Sequence, residues 1–357
     1  MGASTRRACR HTYEEFQWCS YYDSGDDQFA ITGSICDGTC PTEVMEFMNY
    51  ARLLALRKPN GTLRPLACGP VALRVAGQCY LEEKSTDTLP YFTASVLDPT
   101  DAAQAALHAA RLATAAASST DEEAVAAIAL ATATAAVAAP PTAPPRPALQ
   151  LGAGCAGGAD LLFGALQLGC EAHGAHGRPD GATCASDISN GFNTTSRAAI
   201  FYGLRNSPFA DCIPMARLLY GSRSSLVLRR TDGALCVDGE DIDSVVGTKQ
   251  GCTLGAFLFC VGLHYCLLVT AALHPTTTLA AYMDDVHTQD DVPAEAWAAL
   301  CTFRAVAKAH CALDSNLTKL AVYSPTADLS FLPPAVPGHP SQPLGGLKVM
   351  GRERVVS

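Results

Sequence analysis

The residues with the clearest potential for chemistry are two adjacent acids in a short apolar segment. Tyr282, Met283, Asp284 and Asp285 follow TTTLAA and precede VHT. Neighbouring carboxylates repel each other, so a fold that holds them together usually neutralises them with divalent cations. Two-metal phosphoryl transfer needs a further carboxylate from another strand, and Asp187 in ATCASDI is the candidate. The alternative to a metal site is purely structural: Asp284 and Asp285 would form a solvated turn, and Asp187 would cap a helix.

A glycine motif upstream suggests a different chemistry. Gly152, Gly154 and Gly157 have the spacing of a dinucleotide-binding loop, and they open an apolar helix whose following strand carries Asp187. The prolines of the preceding APPRPALQL leave little room for a buried parallel strand. Asp187 also lies 35 residues after Gly152, whereas the motif expects an acid after about 20. A dinucleotide-binding domain that uses residues 152–157 stays open as an alternative.

The elements around these residues alternate without a strict repeat. The patterns predict strands at 181–188, 277–282 and 286–288, and a tight turn at 283–285 joins the last two. They also predict a helix at 293–312 and a helix that is capped by Thr194 or Thr195 and runs through Arg205. An Asp-Gly hairpin is predicted at 224–236. Such interleaving favours an α+β domain over a doubly wound sheet.

The segment 252–273 is apolar and uncharged over a length that could span a membrane. It has no flanking basic clusters and carries His264 in its middle, and a wholly buried helix is apolar on all sides in the same way. We therefore predict a buried core helix and no membrane partner.

Composition restricts the function classes. A net charge of −9 has the wrong sign for binding nucleic acid through the overall field, so a polyanion needs a local basic groove or metal ions. The N-terminal segment lacks the apolar core of a signal peptide, so the 16 cysteines favour a reducing compartment, nuclear or cytoplasmic, over a disulfide framework. Cys9, His11, Cys19, Cys36 and Cys40 match no closed zinc-finger spacing.

Two regions carry no chemical motif. Residues 1–50 read as an N-terminal extension that leads into a helix predicted over 41–56. Residues 98–147 turn abruptly to alanine and threonine and close on PPTAPPRP, which indicates an alanine-rich helix or a disordered insertion followed by a stiff extended linker.

The remaining segments fall in a recognisable order. RKPNGTLRPL begins at Arg57, and it is followed by QLGAGCAGGAD, SDISNGFNTTSR, VGTKQGCTLGAFLF, AYMDDV, SNLTKLAVYS and GGLKVMG. In order, spacing and type, this series resembles the reverse transcriptases of eukaryotic retrotransposons of the non-long-terminal-repeat kind. The resemblance implies a right-hand polymerase with a mostly antiparallel palm sheet that carries out RNA-directed DNA synthesis. It places fingers at 51–80 and 148–178, an insertion at 81–147 and the palm at 179–357.

The resemblance also assigns a metal site. It makes Asp187 and Asp284 the carboxylates that bind Mg²⁺ or Mn²⁺, with Asp285 as their neighbour and the carbonyl of Ile188 as an extra ligand. Two such ions activate the primer 3′-hydroxyl and stabilise the leaving pyrophosphate. Lys319 matches the lysine that protonates the pyrophosphate, although a surface lysine fits the position equally well.

The nucleotide-binding residues come from three of the motifs. Lys58 and Arg64 match fingers residues that hold the triphosphate, with a solvated basic turn as the alternative. Phe192 matches an aromatic ring that excludes a 2′-hydroxyl, and the pattern alone would place it in a core. Gln250 and Gly251 match a pair that lines the nucleotide pocket, and in isolation they read as a turn before a helix.

Departures from the family pattern leave a rival open. The family's usual QGDPLGP and PGGAE are here QGCTLGA and AGGAD. We expect fingers and palm without a thumb, which would remove much of the surface that holds the duplex. The partners implied are an RNA template, a DNA primer and deoxynucleoside triphosphates, with a thumb-supplying partner left open. The rival is a catalytically inactive, truncated retroelement relic that at most binds nucleic acid.

Overall fold

The structure is a computed structural model, and it describes residues 25–49, 51–57, 61, 63–174, 181–228, 242–315, 320–324, 329–332, 348–349 and 352–353. Its helices are α1 Gly25–Cys36, α2 Thr42–Met48, α3 Val71–Glu83, α4 Ser85–Ala94, α5 Pro99–Ala116, α6 Thr120–Ala138, α7 Gly158–Gly174, α8 Gly191–Thr194, α9 Arg197–Arg205, α10 Ile213–Tyr220, α11 Gly255–Leu273 and α12 Pro293–Cys311. Its strands are β1 Ala51–Arg57, β2 Leu63–Cys68, β3 Leu149–Gln150, β4 Ala182–Asp187, β5 Ser224–Leu228, β6 Ile242–Ser244, β7 Thr278–Tyr282, β8 Asp285–Asp290, β9 Ala321–Tyr323, β10 Lys348–Val349 and β11 Arg352–Glu353. This content confirms the α+β class.

The chain forms two compact units. The first contains the described residues up to Thr88 and those of Phe192–Gly262, and the second contains Leu89–Gly191 and the described residues from Leu263 onward. The first unit has a sheet in the order β2-β1-β5-β6, in which only the β1–β5 contact is parallel. The second has a sheet in the order β3-β7-β8-β4-β9, in which only the β3–β7 contact is parallel. Most of the described strand pairs are therefore antiparallel.

Helices cover both faces of the sheet in the second unit. Ala185 of β4 lies in an apolar cluster with Leu162 and Leu166 of α7. On the other face, the Thr288 hydroxyl donates a 2.7 Å hydrogen bond to the Ala296 carbonyl of α12. Successive side chains of a strand point to opposite faces, which is why five of the six residues of β4 are buried.

The alanine-rich segment is ordered as a helical hairpin. α5 packs against α6, and both contact α12 within the second unit. Ala110, Ala129 and Ala305 form the centre of this contact. Asp98 caps α5 and Ser119 caps α6 with side-chain hydrogen bonds to backbone N–H groups. Of the two predicted structures for this region, the helix is correct, and it occurs twice.

Two local predictions are wrong. The predicted helix over 41–56 ends at Met48, because residues 51–57 pair as a strand with β2 on one side and β5 on the other. An apolar run such as ARLLALR is compatible with a helix or a strand, and the strands that pair with it determine that it forms a strand. The helix through Arg205 is capped by Ser196, without a side-chain hydrogen bond, and not by Thr194 or Thr195.

The Asp-Gly hairpin is only partly described. β5 is antiparallel to β6, and Ser224 pairs with Ser244. The predicted turn at 231–233 lies outside the described residues.

The apolar run at 252–273 forms a buried helix, as predicted. Among the described helices, α11 alone is long and apolar enough to cross a membrane, and 83% of that stretch is buried inside the protein. In the first unit, Gly203 of α9 lies so close to α11 that an added Cβ would be 2.5 Å from the Val261 carbonyl oxygen. In the second unit the His264 ring lies 4.7 Å from that of Tyr91.

Burial of two histidines gives a prediction for pH dependence. Desolvation lowers the pKa of both His264 and His287 to about 4, whereas the pKa of a histidine in an unfolded chain is about 6.5. Between these values the unfolded chain binds more protons, so the free energy of unfolding should fall as the pH decreases from 6.5 towards 4. Each histidine contributes a slope of up to about 1.4 kcal/mol per pH unit.

Urea denaturation at several pH values above 5 would measure this slope. His287→Gln should reduce it. His108→Gln, which changes an exposed histidine of α5, should leave it unchanged. Equal slopes in the two variants would contradict the role of His287.

Candidate functional site

The two acidic segments lie at the same end of neighbouring strands. β4 and β8 are antiparallel, and their register pairs Asp187 with Asp285. The next residue, Ile188, donates its N–H to the Asp284 carbonyl at 3.1 Å. Directly paired residues have their side chains on the same face of a sheet. The structure therefore brings Asp187, Ile188, Asp284 and Asp285 together in the second unit, and each aspartate is partly buried.

The turn that carries Asp284 is the tightest kind of hairpin loop. Tyr282 pairs with Asp285, which leaves only Met283 and Asp284 in the loop. Two-residue loops need at least one residue at positive φ, and Met283 supplies it with a φ of 55°. A bulky residue in that conformation is strained. This strain requires support from the surroundings of the loop.

The support comes from Gln150, which the sequence analysis did not identify. Its side chain is fully buried, and its Oε1 atom accepts hydrogen bonds from the N–H groups of Met283 and Gly152, each at 3.0 Å. Its Nε2 atom donates to the Met283 carbonyl at 3.4 Å. The sequence shows a glutamine between two leucines in LQLG, which is unusual for a buried strand. No local pattern indicates that its hydrogen-bond partner, Met283, lies 133 residues away.

Gly152, the first glycine of the motif, also packs against this turn. A Cβ added to Gly152 would lie 2.5 Å from the Met283 nitrogen. Only glycine permits this close backbone approach. The first glycine of the motif therefore faces protein backbone.

The topology also differs from that of a dinucleotide-binding unit. Such a unit connects neighbouring parallel strands through the helix that follows the glycines. Here β3 neighbours β7, and β4, which follows α7 along the chain, is separated from β3 by β7 and β8.

The segment after Asp187 is fixed by residues that follow α12. The Ser189 N–H donates to the Asp314 carbonyl at 2.7 Å, and Ile188 forms an isolated antiparallel bridge with Ser315. Lys308 forms an ion pair with the Asp314 carboxylate. Ser315 opens the SNLTKL motif, whereas Lys319 lies outside the described residues.

The donor atoms at this edge have the chemistry that Mg²⁺ prefers. Carboxylate and carbonyl oxygens are hard ligands, and Mg²⁺ is often held by only one or two carboxylates together with water and substrate phosphates. Within the described ranges, no group of three or more His, Cys, Asp or Glu side chains is arranged to hold a metal ion. The residues fit a magnesium site in donor type, and they do not form a closed metal centre.

Phe192, from the motif that follows Asp187, belongs to the first unit. Its ring stacks on Phe259 with centroids 4.7 Å apart. Its carbonyl accepts a hydrogen bond from the Thr248 N–H at 2.6 Å. Gly247 approaches so closely that an added Cβ would lie 2.4 Å from the same carbonyl oxygen. The segment that leads to Gln250 therefore lies directly against Phe192.

Gln250 and Gly251 lie against the strand that carries Arg64. The Ala67 N–H of β2 donates to the Gln250 carbonyl at 2.6 Å. Gly251 has a φ of 103°, and a Cβ there would lie 2.7 Å from the Ala67 oxygen. Arg64, three residues earlier on β2, is exposed. The first unit thus connects three of the predicted nucleotide-binding segments, and Lys58 lies outside the described residues.

Two cations, the partly buried Arg197 and the buried Lys249, stabilise this region through hydrogen bonds to backbone carbonyls. The Arg197 guanidinium donates to backbone carbonyls, among them those of Gly247 at 3.1 Å and Ser244 at 2.9 Å. Lys249 donates to the Asn49 carbonyl at 3.2 Å, and burial lowers its pKa to about 8. Sequence reasoning missed both roles, although Arg197 closes the SDISNGFNTTSR motif.

No protein-family model matches the chain, and no curated protein matches it. Among solved structures, it is similar to apo telomerase from Candida tropicalis truncated from its C-terminal domain, with a TM-score of 0.41 and 9% identity over 78% of this chain and 50% of that chain. It is also similar to telomerase from Candida albicans in complex with a TWJ fragment of telomeric RNA, with a TM-score of 0.38 and 10% identity over 79% of this chain and 44% of that chain. The chain spans half of the first structure and less than half of the second. Similarity at this level identifies no family.

The close approach at Gly251 can be tested by adding one methyl group. Gly251→Ala should lower the free energy of unfolding by about 1 kcal/mol through backbone strain and by about a further 1–3 kcal/mol through the contact with Ala67. Gly61→Ala is the matched control, because Gly61 has a φ of 82° and open space around it. Urea denaturation of both variants gives the difference. An equal loss in both would show that the Ala67 contact is unimportant.

Proposed function

We propose that the chain is a reverse-transcriptase domain of a retrotransposon of the non-long-terminal-repeat kind, with fingers in residues 51–80 and 148–178 and a palm in 179–357. The observation that carries the proposal is the pairing of Asp187 with Asp285 beside the Met283-Asp284 loop. These acids lie far apart in the sequence, and the motif series assigns them to one catalytic centre. The antiparallel β4–β8 pair supplies the backbone arrangement that this assignment needs.

The residues of this edge have separate tasks. Asp187 and Asp284 would hold Mg²⁺ or Mn²⁺, with Asp285 and the Ile188 carbonyl beside them. The bound ions would supply charge stabilisation to the attacking and leaving oxygens of nucleotidyl transfer. The protein would contribute position and negative charge rather than covalent chemistry. Lys319 is the proposed donor of a proton to the pyrophosphate.

The first unit carries the proposed nucleotide contacts. Arg64 is exposed on β2 and has the planar guanidinium that suits phosphate oxygens, and Lys58 has the same proposed role. Phe192 is held at its backbone by Thr248, which would fix a ring that excludes the 2′-hydroxyl. Gln250 and Gly251 would line the pocket, where glycine keeps the backbone close.

The proposed partners are an RNA template, a DNA primer and deoxynucleoside triphosphates. With a net charge of −9, the chain would hold the nucleic acid through a limited number of local phosphate contacts. Each such contact weakens as the salt concentration rises. Synthesis by this chain should therefore be sensitive to salt.

A second candidate is a protein of the same fold that binds nucleic acid without polymerising it. It is favoured by the departures of the motifs from the family pattern, where QGCTLGA and AGGAD stand in place of the usual QGDPLGP and PGGAE.

Primer extension separates the two candidates. We expect the purified chain to extend a DNA primer on an RNA template at low salt with Mg²⁺ or Mn²⁺, and Asp284→Asn to abolish extension because an amide cannot balance the charge of the metal. Asp101→Asn, which removes an exposed carboxylate from α5, is the matched control. If the wild-type chain gives no product with either metal while an active reverse transcriptase works under the same conditions, the non-catalytic candidate is correct.

Phe192 gives a test of sugar discrimination. Phe192→Ala should raise the incorporation of ribonucleotides relative to deoxyribonucleotides by at least about 10-fold, which corresponds to about 1.4 kcal/mol of lost discrimination. Competition between the two substrates in single-nucleotide extension measures the ratio. Because the variant also removes the stack on Phe259, Phe192→Tyr serves as control and should keep the discrimination. An unchanged ratio in Phe192→Ala would remove Phe192 from the proposed site.

A further inference from the structure

We propose that Gln150 is a positioning residue for Asp284, and that it acts by clamping the backbone of Met283 through its buried side-chain amide. The inference rests on the proposed function, because it treats the Met283-Asp284 loop as part of a catalytic centre. Gln150 itself is fully buried, so in this proposal it acts through Met283.

The geometry of the clamp is specific. The Gln150 Oε1 atom accepts from the Met283 N–H at 3.0 Å and Nε2 donates to the Met283 carbonyl at 3.4 Å. One amide thus satisfies both backbone groups of the residue next to Asp284. Its backbone is itself part of the sheet, since Gln150 pairs with Ala281 in the parallel β3–β7 contact. The clamp is therefore anchored on a strand and not on a loop.

The strained backbone of Met283 explains why a clamp is needed. Met283 has a φ of 55°, and a non-glycine residue in this region stays there only where the surroundings determine its conformation. A buried amide that lost these bonds would leave polar atoms unsatisfied, at a cost of about 1–3 kcal/mol. The loop and Gln150 consequently stabilise each other. Without the amide, Met283 would relax and carry Asp284 with it.

Gly152 completes the support from the other direction. Its N–H donates to the same Oε1 atom at 3.0 Å, and a Cβ at this position would meet the Met283 nitrogen at 2.5 Å. Gln150 thus holds the turn, and Gly152 leaves the space that the turn occupies. Gly152, the first glycine of the motif, therefore has a role here that requires no dinucleotide.

The experiment compares Gln150→Met with Gln289→Met in the full chain. Both glutamines are buried in the same sheet, but the Gln289 amide donates to Thr183 at 2.8 Å, away from the turn. Methionine preserves the length of the side chain and removes the amide. Two quantities are measured: primer extension with kcat and KM for the nucleotide, and hydrogen exchange of the Met283 amide.

We expect Gln150→Met to lower kcat by about 10- to 100-fold with little change in KM, since a displacement of about 1 Å in a catalytic group can cost 100-fold. The Met283 amide should exchange at least about 10-fold faster. Gln289→Met should lose comparable stability, keep kcat within about threefold and keep the Met283 amide protected. Equal kinetics and equal exchange in the two variants would overturn the inference.

The exchange measurement separates this inference from the proposed function. If the wild-type chain does not extend primers, the polymerase proposal fails and exchange decides alone whether Gln150 holds the turn. Unchanged protection of Met283 in Gln150→Met overturns the clamp even if the chain is an active polymerase.

A second pair of variants tests the turn from the glycine side. Gly152→Ala should displace Met283, lower kcat and speed exchange of its amide, as Gln150→Met does. Gly164→Ala in α7 adds the same methyl group where no atom lies within 4 Å, and it should leave both quantities unchanged. An unaltered turn in Gly152→Ala would contradict the close packing on which the inference depends.

Discussion

The antiparallel pairing of β4 with β8 is the constraint on which the second unit depends. Six residue pairs, from Ala182–Asp290 to Asp187–Asp285, fix the register of the two central strands. A shift of one residue would exchange the face that contacts α7 with the face that contacts α12. The packing of both helices therefore determines that Asp187 and Asp285 lie opposite each other. The position of the acids follows from burial, and their own charges would oppose it.

Polar groups fix the hairpin at both ends. At its tip, the Gln150 amide holds Met283. At its base, the buried carboxylate of Asp290 accepts hydrogen bonds from the hydroxyls of Thr276 and Thr277 and from the Val292 N–H. Buried polar groups stabilise a single arrangement only when their partners are present. The β7–β8 hairpin therefore has little freedom to slide, which would suit the role proposed above for its loop.

The sequence predicts this region well where local pattern and tertiary structure agree. The predicted strands at 181–188 and 277–282 match β4 and β7, and the predicted turn at 283–285 is one residue shorter in the structure because Asp285 begins β8. Residues 51–57 were misread because their strand exists only through β2 and β5. Gln150 was missed for a related reason, since its function depends on a partner that is distant in the chain. Local patterns cannot reveal a bond of this kind.

The alanine contact between α5, α6 and α12 affects how the chain tolerates change. Because Ala110, Ala129 and Ala305 have only a methyl group each, the helices approach closely at the centre of the contact, where these three side chains cannot move aside. Enlarging any one of these residues would separate whole helices, whereas exposed residues of the same helices are open to substitution. The alanine-rich region, which the sequence analysis treats as an insertion, is thus an integral packing layer of the second unit. Replacing it with a short linker would expose the face of α12 that it covers.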